Sequence, residues 1–268
     1  MGFGRSARSL TVVSREQRLK PPSRTPYPTV TDAHEVYDRT ADTYAAENAD
    51  ADARATYEWP MVRDLLPPLD GRRVLDAATG TGDYARWMAD RGARVVGVDA
   101  SRSMTRRARD RCPDAAVLRT DLRAPLPFSA GAFDLVVSQL TLEHVRDWDA
   151  VAIEFARVLR SDGCLVVSTD HPSSTYFVIE HEPPDIGSAE AQSADYYAVE
   201  RYERDWGDAR IPFYRRPLRE VLRPLFAAGF AVEDLREPSP DADPDDELLG
   251  YFDNELPRFL GLRARLTE

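Results

Sequence analysis

The chain has 268 residues, enough for one substantial hydrophobic core, and it carries 46 acidic against 35 basic side chains, a formal net charge of −11. That charge argues against a nucleic-acid substrate, because phosphate binding requires a basic surface. No apolar run approaches the ~18 residues that cross a bilayer, so we expect a soluble protein without a membrane partner. The two cysteines, Cys112 and Cys164, lack the spacing of metal ligands; we expect reduced thiols in the cytoplasm and no metal site.

The chain begins with a polar segment, residues 1–30, that is rich in proline and shows no hydrophobic periodicity. This composition predicts a disordered basic tail, followed by one domain over residues 31–268. Residues 32–48 are predicted to form a helix, with Tyr37 and Tyr44 on one face. Such a helix either packs against the core or lies over a ligand, and both roles stay open for Tyr44.

A strand, a glycine-rich turn, a helix and a second strand follow one another between residues 73 and 99. The first strand ends at Asp76, and small residues around Gly80 and Gly82 let the backbone approach a ligand closely. The second strand ends at Asp99. Two parallel strands joined in this way form a nucleotide site, because the turn presents N–H groups at a helix N-terminus. The acid after the second strand can accept hydrogen bonds from ribose hydroxyls.

Two classes of cofactor fit this geometry. The spacing Gly80-x-Gly82-x-x-Ala85 matches the dinucleotide fingerprint in its alanine-ending form, which favours NAD. Asp76 favours the other class, because a carboxylate repels a pyrophosphate and attracts an ammonium group. We therefore expect S-adenosylmethionine, which has an ammonium and a sulfonium group and no phosphate.

Four segments of the chain resemble one family of enzymes. They are VLDAATGTGDYA, VVGVDASRSM, RTDLRAPLPFSAGAFDLVVSQLTLEHV and VLRSDGCLVVSTDHP, within about residues 69–172. Their order and content are similar to those of class I S-adenosylmethionine-dependent methyltransferases, in the type 11-like group that acts on small molecules. One departure is Ala78, where many members have glycine. Alanine has less backbone freedom, but it is small enough for the loop.

The resemblance implies a doubly wound, Rossmann-like α/β fold, in which helices cover both faces of a seven-stranded sheet whose last strand is antiparallel. It also implies transfer of the methyl group of S-adenosylmethionine to an oxygen, nitrogen or carbon atom of a small organic acceptor, by a monomer or a homodimer. Two alternatives stay open. One is a module that binds the cofactor without catalysis, and the other is an NAD(P)-dependent oxidoreductase.

The same resemblance assigns residues to the cofactor. Asp76 and the glycine loop would hold its amino-acid part and Asp99 its ribose, while Asp121 would accept a hydrogen bond from the adenine amine. The residues expected to bind the cofactor are Tyr44, Asp76, Ala78, Gly80, Gly82, Asp99, Ala100, Met104, Asp121, Leu122 and Gln139.

Two histidines follow the fourth and fifth predicted strands, which are residues 133–137 and 164–168. His171 is the better candidate for a general base, because an unperturbed imidazole titrates near neutrality. His144 is a second candidate, although a structural role explains it more readily. The other predicted strands are 116–119, 231–235 and 259–266.

A long insertion, residues 173–216, separates the fifth strand from the next helix and is rich in aromatic residues. Its length and composition predict a lid over an organic acceptor. Tyr176 and Tyr214 are the residues that we expect to contact this acceptor.

The types of charged residue are unusual, in addition to the acidic net charge. Lys20 is the single lysine, so nearly all basic residues are arginine. An acidic, lysine-poor surface stays hydrated in concentrated salt, and a halophilic source and a GC-rich mesophile are both open alternatives. For a halophile, we expect the free energy of unfolding to rise between dilute buffer and molar KCl in urea denaturation. Indifference to salt would contradict the halophilic hypothesis.

Overall fold

The structure is a computed structural model that describes residues 32–47, 57–181, 195–206, 209–238 and 256–267. The tail predicted over residues 1–30 lies outside the described residues. The described strands are β1 Arg73–Ala77, β2 Arg94–Asp99, β3 Ala116–Arg119, β4 Phe133–Gln139, β5 Leu159–Asp170, β6 Glu200–Trp206, β7 Ala209–Arg215, β8 Phe230–Arg236 and β9 Phe259–Leu266.

Within the described ranges, seven strands form one sheet in the order β3-β2-β1-β4-β5-β9-β8. Strand β9 runs antiparallel to both its neighbours, and the remaining pairs are parallel. This is the sheet that the sequence predicted. The chain order reverses between β1 and β4, so a crevice opens at the carboxyl ends of these strands, where open α/β sheets bind ligands.

Helices cover both faces of this sheet. The described helices are α1 Ala33–Glu47, α2 Trp59–Leu65, α3 Asp83–Ala89, α4 Arg102–Arg111, α5 Trp148–Val158, α6 Pro172–His181 and α7 Leu218–Ala227. Val74 of β1 belongs to one apolar cluster with Met61 of α2 and Met88 of α3, whereas the next residue, Leu75, belongs to another with Phe155 of α5. The predicted three-layer arrangement is therefore confirmed. No helix in the described part of the chain is long and apolar enough to span a bilayer.

The predicted strand bounds match β3 and β9, and the described residues between β5 and α7 contain elements that the sequence did not predict. Strand β5 begins at Leu159 rather than residue 164, because Leu159 pairs with Phe133 of β4 ahead of a register shift. The expected lid contains α6 and an antiparallel hairpin, β6–β7, as a separate two-stranded sheet. Tyr202 and Phe213 pair across this hairpin and pack with Val36 of α1.

Gly82 sets how closely α3 approaches α4. It has a left-handed backbone, with φ +86°, and a Cβ atom at this position would lie 2.8 Å from the Cα of Ala108. Gly82→Ala adds backbone strain and a clash, so we expect it to lower the free energy of unfolding by about 2–4 kcal/mol. Urea denaturation measures this change.

Gly80→Ala is the matched control. Gly80 also has a positive φ, +55°, but its Cβ position is surrounded by open space to 4 Å. We therefore expect strain without a clash, a loss of about 1–2 kcal/mol. Equal losses in the two variants would contradict the packing role of Gly82.

Candidate functional site

A cleft opens at the carboxyl edge of the sheet, above the crevice between β1 and β4. It encloses about 950 Å³ of empty space, part of which is open to solvent. Strand ends, α1 and the β6–β7 hairpin form its walls. The predicted site residues that line it are Ala78, Gly80, Asp99, Ala100, Met104, Asp121, Leu122, Gln139, His144 and Tyr214.

The loop after β1 contributes Ala78 and Gly80 to the cleft. Both have left-handed backbone, with φ +68° and +55°. This conformation costs an alanine about 1–2 kcal/mol and costs glycine little, which explains why glycine suits position 78. The N–H of Thr79 donates to the carbonyl of Val98 at 2.8 Å and ties the loop to β2.

Asp76 lies behind this loop rather than in the cleft lining. Its side chain is buried, and its Oδ2 accepts a hydrogen bond from Thr79 Oγ1 at 2.6 Å. Burial raises the pKa of Asp76 to about 7, against the opposing effect of that hydrogen bond. In the structure, Asp76 therefore contacts the loop and does not line the cleft. Gly82 also lies outside the cleft lining.

Asp99, at the end of β2, faces the cleft. Its Oδ2 accepts from Gly80 N at 3.0 Å and its Oδ1 from Ser101 N at 2.8 Å. Burial raises the pKa of Asp99 to about 6, while these two hydrogen bonds act in the opposite direction. The carboxylate is thus oriented by the backbone and retains lone pairs for a ligand.

At the end of β3, Asp121 is paired with Arg123, an arginine that was not among the predicted site residues. Arg123 donates from Nε and Nη2 to Asp121 and from Nη1 to Asp32, which precedes α1, at 2.6 Å. The bonds from Arg123 hold the pKa of Asp121 below its ordinary value, although burial alone would raise it. A bidentate arginine–carboxylate pair is fixed in orientation, so this end of the cleft is preorganised.

Gln139, the last residue of β4, provides a buried donor. Its Nε2 has no hydrogen-bond partner among the described residues. A buried polar atom without a partner costs about 1–3 kcal/mol, so this amide marks a position where a ligand oxygen would stabilise the protein.

His144 stands beyond Gln139, in a short 3-10 turn, Leu142–His144. Its Nδ1 lies 2.8 Å from the carbonyl oxygen of Pro212 in β7, and its Nε2 lies 3.2 Å from the hydroxyl of Tyr37 in α1. Burial lowers the pKa of His144 to about 4, so the imidazole is neutral at physiological pH. Tyr37 also lines the cleft, a position that its helical spacing alone does not indicate.

His171 is not brought to the cleft. Its Nδ1 accepts from Ser173 N at 3.1 Å, and its Nε2 donates to Glu237 Oε1 at 2.7 Å. Burial lowers the pKa of His171, and Glu237 opposes that shift. Both ring nitrogens are therefore engaged at the start of α6, and His171 lies outside the cleft lining whereas His144 lies within it.

Of the two tyrosines expected to contact the acceptor, one lines the cleft and the other does not. Tyr214 lines the cleft, whereas Tyr176 is buried against Arg215, and its hydroxyl donates to the carbonyl of Ala198 at 3.0 Å. The side chain of Tyr44 lies outside the described part of the chain.

The donors and acceptors of the cleft fit S-adenosylmethionine better than a dinucleotide. Arg123 is the only arginine or lysine in the described lining, and it is already bound to two carboxylates. A pyrophosphate would meet the carboxylates of Asp99 and Asp121, and the Arg123 guanidinium is already paired with two carboxylates, so its binding is unfavourable at short range. A ribose diol, an adenine amine and a carboxylate are instead complementary to Asp99, Asp121 and Gln139.

Comparison with known proteins gives several matches to methyltransferases. Residues 75–167 match a family model described as a methyltransferase domain. A crystal structure of an S-adenosylmethionine dependent methyltransferase from Mesorhizobium loti is 30% identical, with a TM-score of 0.61. That alignment covers 78% of this chain and 97% of the other.

Two curated proteins are also similar. A demethylmenaquinone methyltransferase of Renibacterium salmoninarum is 34% identical over 140 residues, 52% of this chain and 59% of the relative. An uncharacterized protein of Haemophilus influenzae is 27% identical over 194 residues, 68% of this chain and 76% of that protein. The chain therefore spans little more than half of the first relative and about three quarters of the second.

Proposed function

The chain belongs to the class I S-adenosylmethionine-dependent methyltransferases, and from that premise we propose that it methylates an oxygen, nitrogen or carbon atom of a small organic acceptor. The cofactor supplies a methyl group on a sulfonium, which is already activated toward nucleophiles. The protein contributes alignment, exclusion of water and, where the acceptor must lose a proton, a base. The observation that carries the proposal is the continuous cleft from Asp99 and Asp121 to His144 and Tyr214.

The proposed cofactor contacts follow the order of the strands. Asp99 binds the ribose hydroxyls, and Asp121 with Leu122 binds the adenine. The loop at Ala78 and Gly80 presents its backbone to the amino-acid part of the cofactor, and the remaining proposed contacts are those of Ala100, Met104 and Gln139. Asp76 and Gly82 serve this site indirectly, through the loop conformation and the position of α3.

The acceptor would lie between the β4 end and the hairpin. Pro212 and Tyr214 of β7 and His144 line this half of the cleft, which supports the proposal that residues 173–216 act as a lid. His144 is the proposed base, and His171 and Tyr176 are proposed to hold α6 and the hairpin in place.

We also propose that the protein is a monomer or a homodimer and that it is located in the cytoplasm. Cys112 and Cys164 are both free and buried, as expected of thiols in a reducing compartment.

The test is formation of S-adenosylhomocysteine from S-adenosylmethionine, followed by chromatography, with separate pools of phenols, alcohols, amines, carboxylates and carbon nucleophiles. Acceptor-dependent product supports the proposal. Cofactor binding without product in any pool would favour the non-catalytic module instead.

A further inference from the structure

We propose that Tyr37 and His144 together form the proton-accepting group of the acceptor site, and that the acceptor is an uncharged compound methylated on a hydroxyl oxygen. The inference rests on the proposed methyl transfer. It adds the chemical class of the acceptor and a residue, Tyr37, that the sequence motifs do not include.

The tautomer of His144 follows from its neighbours. The carbonyl oxygen of Pro212, 2.8 Å from Nδ1, can only accept, so Nδ1 carries the ring hydrogen. Nε2 then has a lone pair and accepts from the Tyr37 hydroxyl at 3.2 Å. Phe213 packs on the imidazole, with ring centroids 4.4 Å apart, and holds the ring in this orientation.

This arrangement gives the site a defined hydrogen-bonding polarity. Because the Tyr37 hydroxyl donates its hydrogen to Nε2, its oxygen can interact with a further group only as a hydrogen-bond acceptor. The acceptor molecule must therefore supply the hydrogen. A hydroxyl group does so, whereas a carboxylate would bring its lone pairs against those of Tyr37.

Among the described residues, the side chains that line the acceptor half of the cleft are uncharged. The described residues that line it beside His144 and Tyr37 are Leu140, Thr141, Val145, Pro212 and Tyr214. Asp99 and Asp121 follow β2 and β3, on the far side of β1. A cationic acceptor would meet the sulfonium of the cofactor in this part of the cleft, and no carboxylate among the described residues is there to receive it, which would cost several kcal/mol.

The charges behind His144 do not change this conclusion. Asp170 at the end of β5 lies 3.0 Å from Nη1 of Arg204 in β6, so these two groups compensate each other. Burial raises the pKa of Glu143 and so disfavours the charged form of that side chain. The two charged groups that act on His144, Asp170 and Arg204, thus compensate each other.

In the transfer step, the acceptor oxygen forms its bond to the methyl carbon as the carbon–sulfur bond breaks, and the bonding pair stays on sulfur. The hydroxyl proton passes to the Tyr37 oxygen while the Tyr37 proton passes to Nε2 of His144. The imidazolium then releases a proton to water, which its low pKa favours. The positive charge of the sulfonium leaves as that proton, so atoms and charge balance.

The experiment measures binding, by calorimetry, of matched probes to the full chain saturated with S-adenosylhomocysteine. The probes are 4-ethylphenol, its methyl ether, 2-phenylethylamine and 3-phenylpropionate. We expect the phenol to bind at least tenfold more tightly than either charged probe. Tyr37→Phe should weaken the phenol about 3- to 10-fold, the effect of one hydrogen bond, and leave the ether unchanged.

Unchanged affinity of Tyr37→Phe for S-adenosylhomocysteine is the control for folding. Preference for the amine or the carboxylate, absence of phenol binding, or equal losses for phenol and ether would each overturn the inference while methyl transfer stands. Failure of the wild-type chain to bind S-adenosylhomocysteine would instead overturn the proposed function.

Discussion

Asp99→Asn is expected to weaken S-adenosylmethionine binding by about 100-fold. A hydrogen bond to an ionised carboxylate contributes about 1.5–3 kcal/mol, and the ribose offers two hydroxyl donors. Both Asp99 oxygens accept backbone hydrogen bonds, from Gly80 and Ser101, and the amide nitrogen of asparagine cannot accept one of them. Isothermal calorimetry measures the loss. Asp149→Asn, on the exposed side of α5, is the matched control and should bind as wild type.

The same carboxylate predicts how cofactor affinity depends on pH. The pKa of Asp99 is raised to about 6 without ligand, and hydroxyl donors that favour its ionised form would lower it on binding. Binding below about pH 6 therefore releases a proton, so affinity should fall there by up to about tenfold per pH unit. Asp99→Asn should lose this part of the dependence. An identical pH profile in wild type and variant would contradict the ribose assignment.

Arg204→Met is expected to lower the free energy of unfolding by about 3 kcal/mol at pH 7. Arg204 pairs with Asp170 at 3.0 Å and lies over the Phe213 ring, 4.6 Å from its centroid. Removing the guanidinium leaves the Asp170 carboxylate largely buried without its cation, close to Glu143. Urea denaturation measures the loss.

The double variant Arg204→Met with Asp170→Asn provides the control. Because asparagine removes the uncompensated charge, we expect the pair to be more stable than Arg204→Met alone. A double variant that loses the sum of the two single losses would show that the two side chains act independently.

The central βαβ unit was predictable because local signals agree there. Small residues at Gly80 and Gly82 permit the left-handed turn, and the strands around it end at acids, of which Asp99 does face the cleft. The bounds of β3 and β9 were also predictable, since polar residues delimit the short β3 and the apolar and polar residues of β9 alternate.

The hairpin and the Tyr37–His144 pair were not predictable in the same way. In β6 the aromatic Tyr202 stands between charged residues, so the high charge obscured a strand whose partner supplies the apolar contacts. Tyr37 lies 107 positions from His144, and its helical spacing predicts a face of α1 but not what that face contacts. The position of His171 depends on Glu237, 66 residues away, which no local pattern indicates.

The central claim is that the cleft between Asp99 and His144 binds S-adenosylmethionine. Calorimetric titration of the wild-type chain with S-adenosylmethionine and S-adenosylhomocysteine, with NAD(H) as control, tests it most directly. We predict that both sulfur compounds bind at one site, more weakly in Asp99→Asn, and that NAD(H) does not bind. Binding of NAD(H) alone would contradict the account, and with it the role given to the loop after β1.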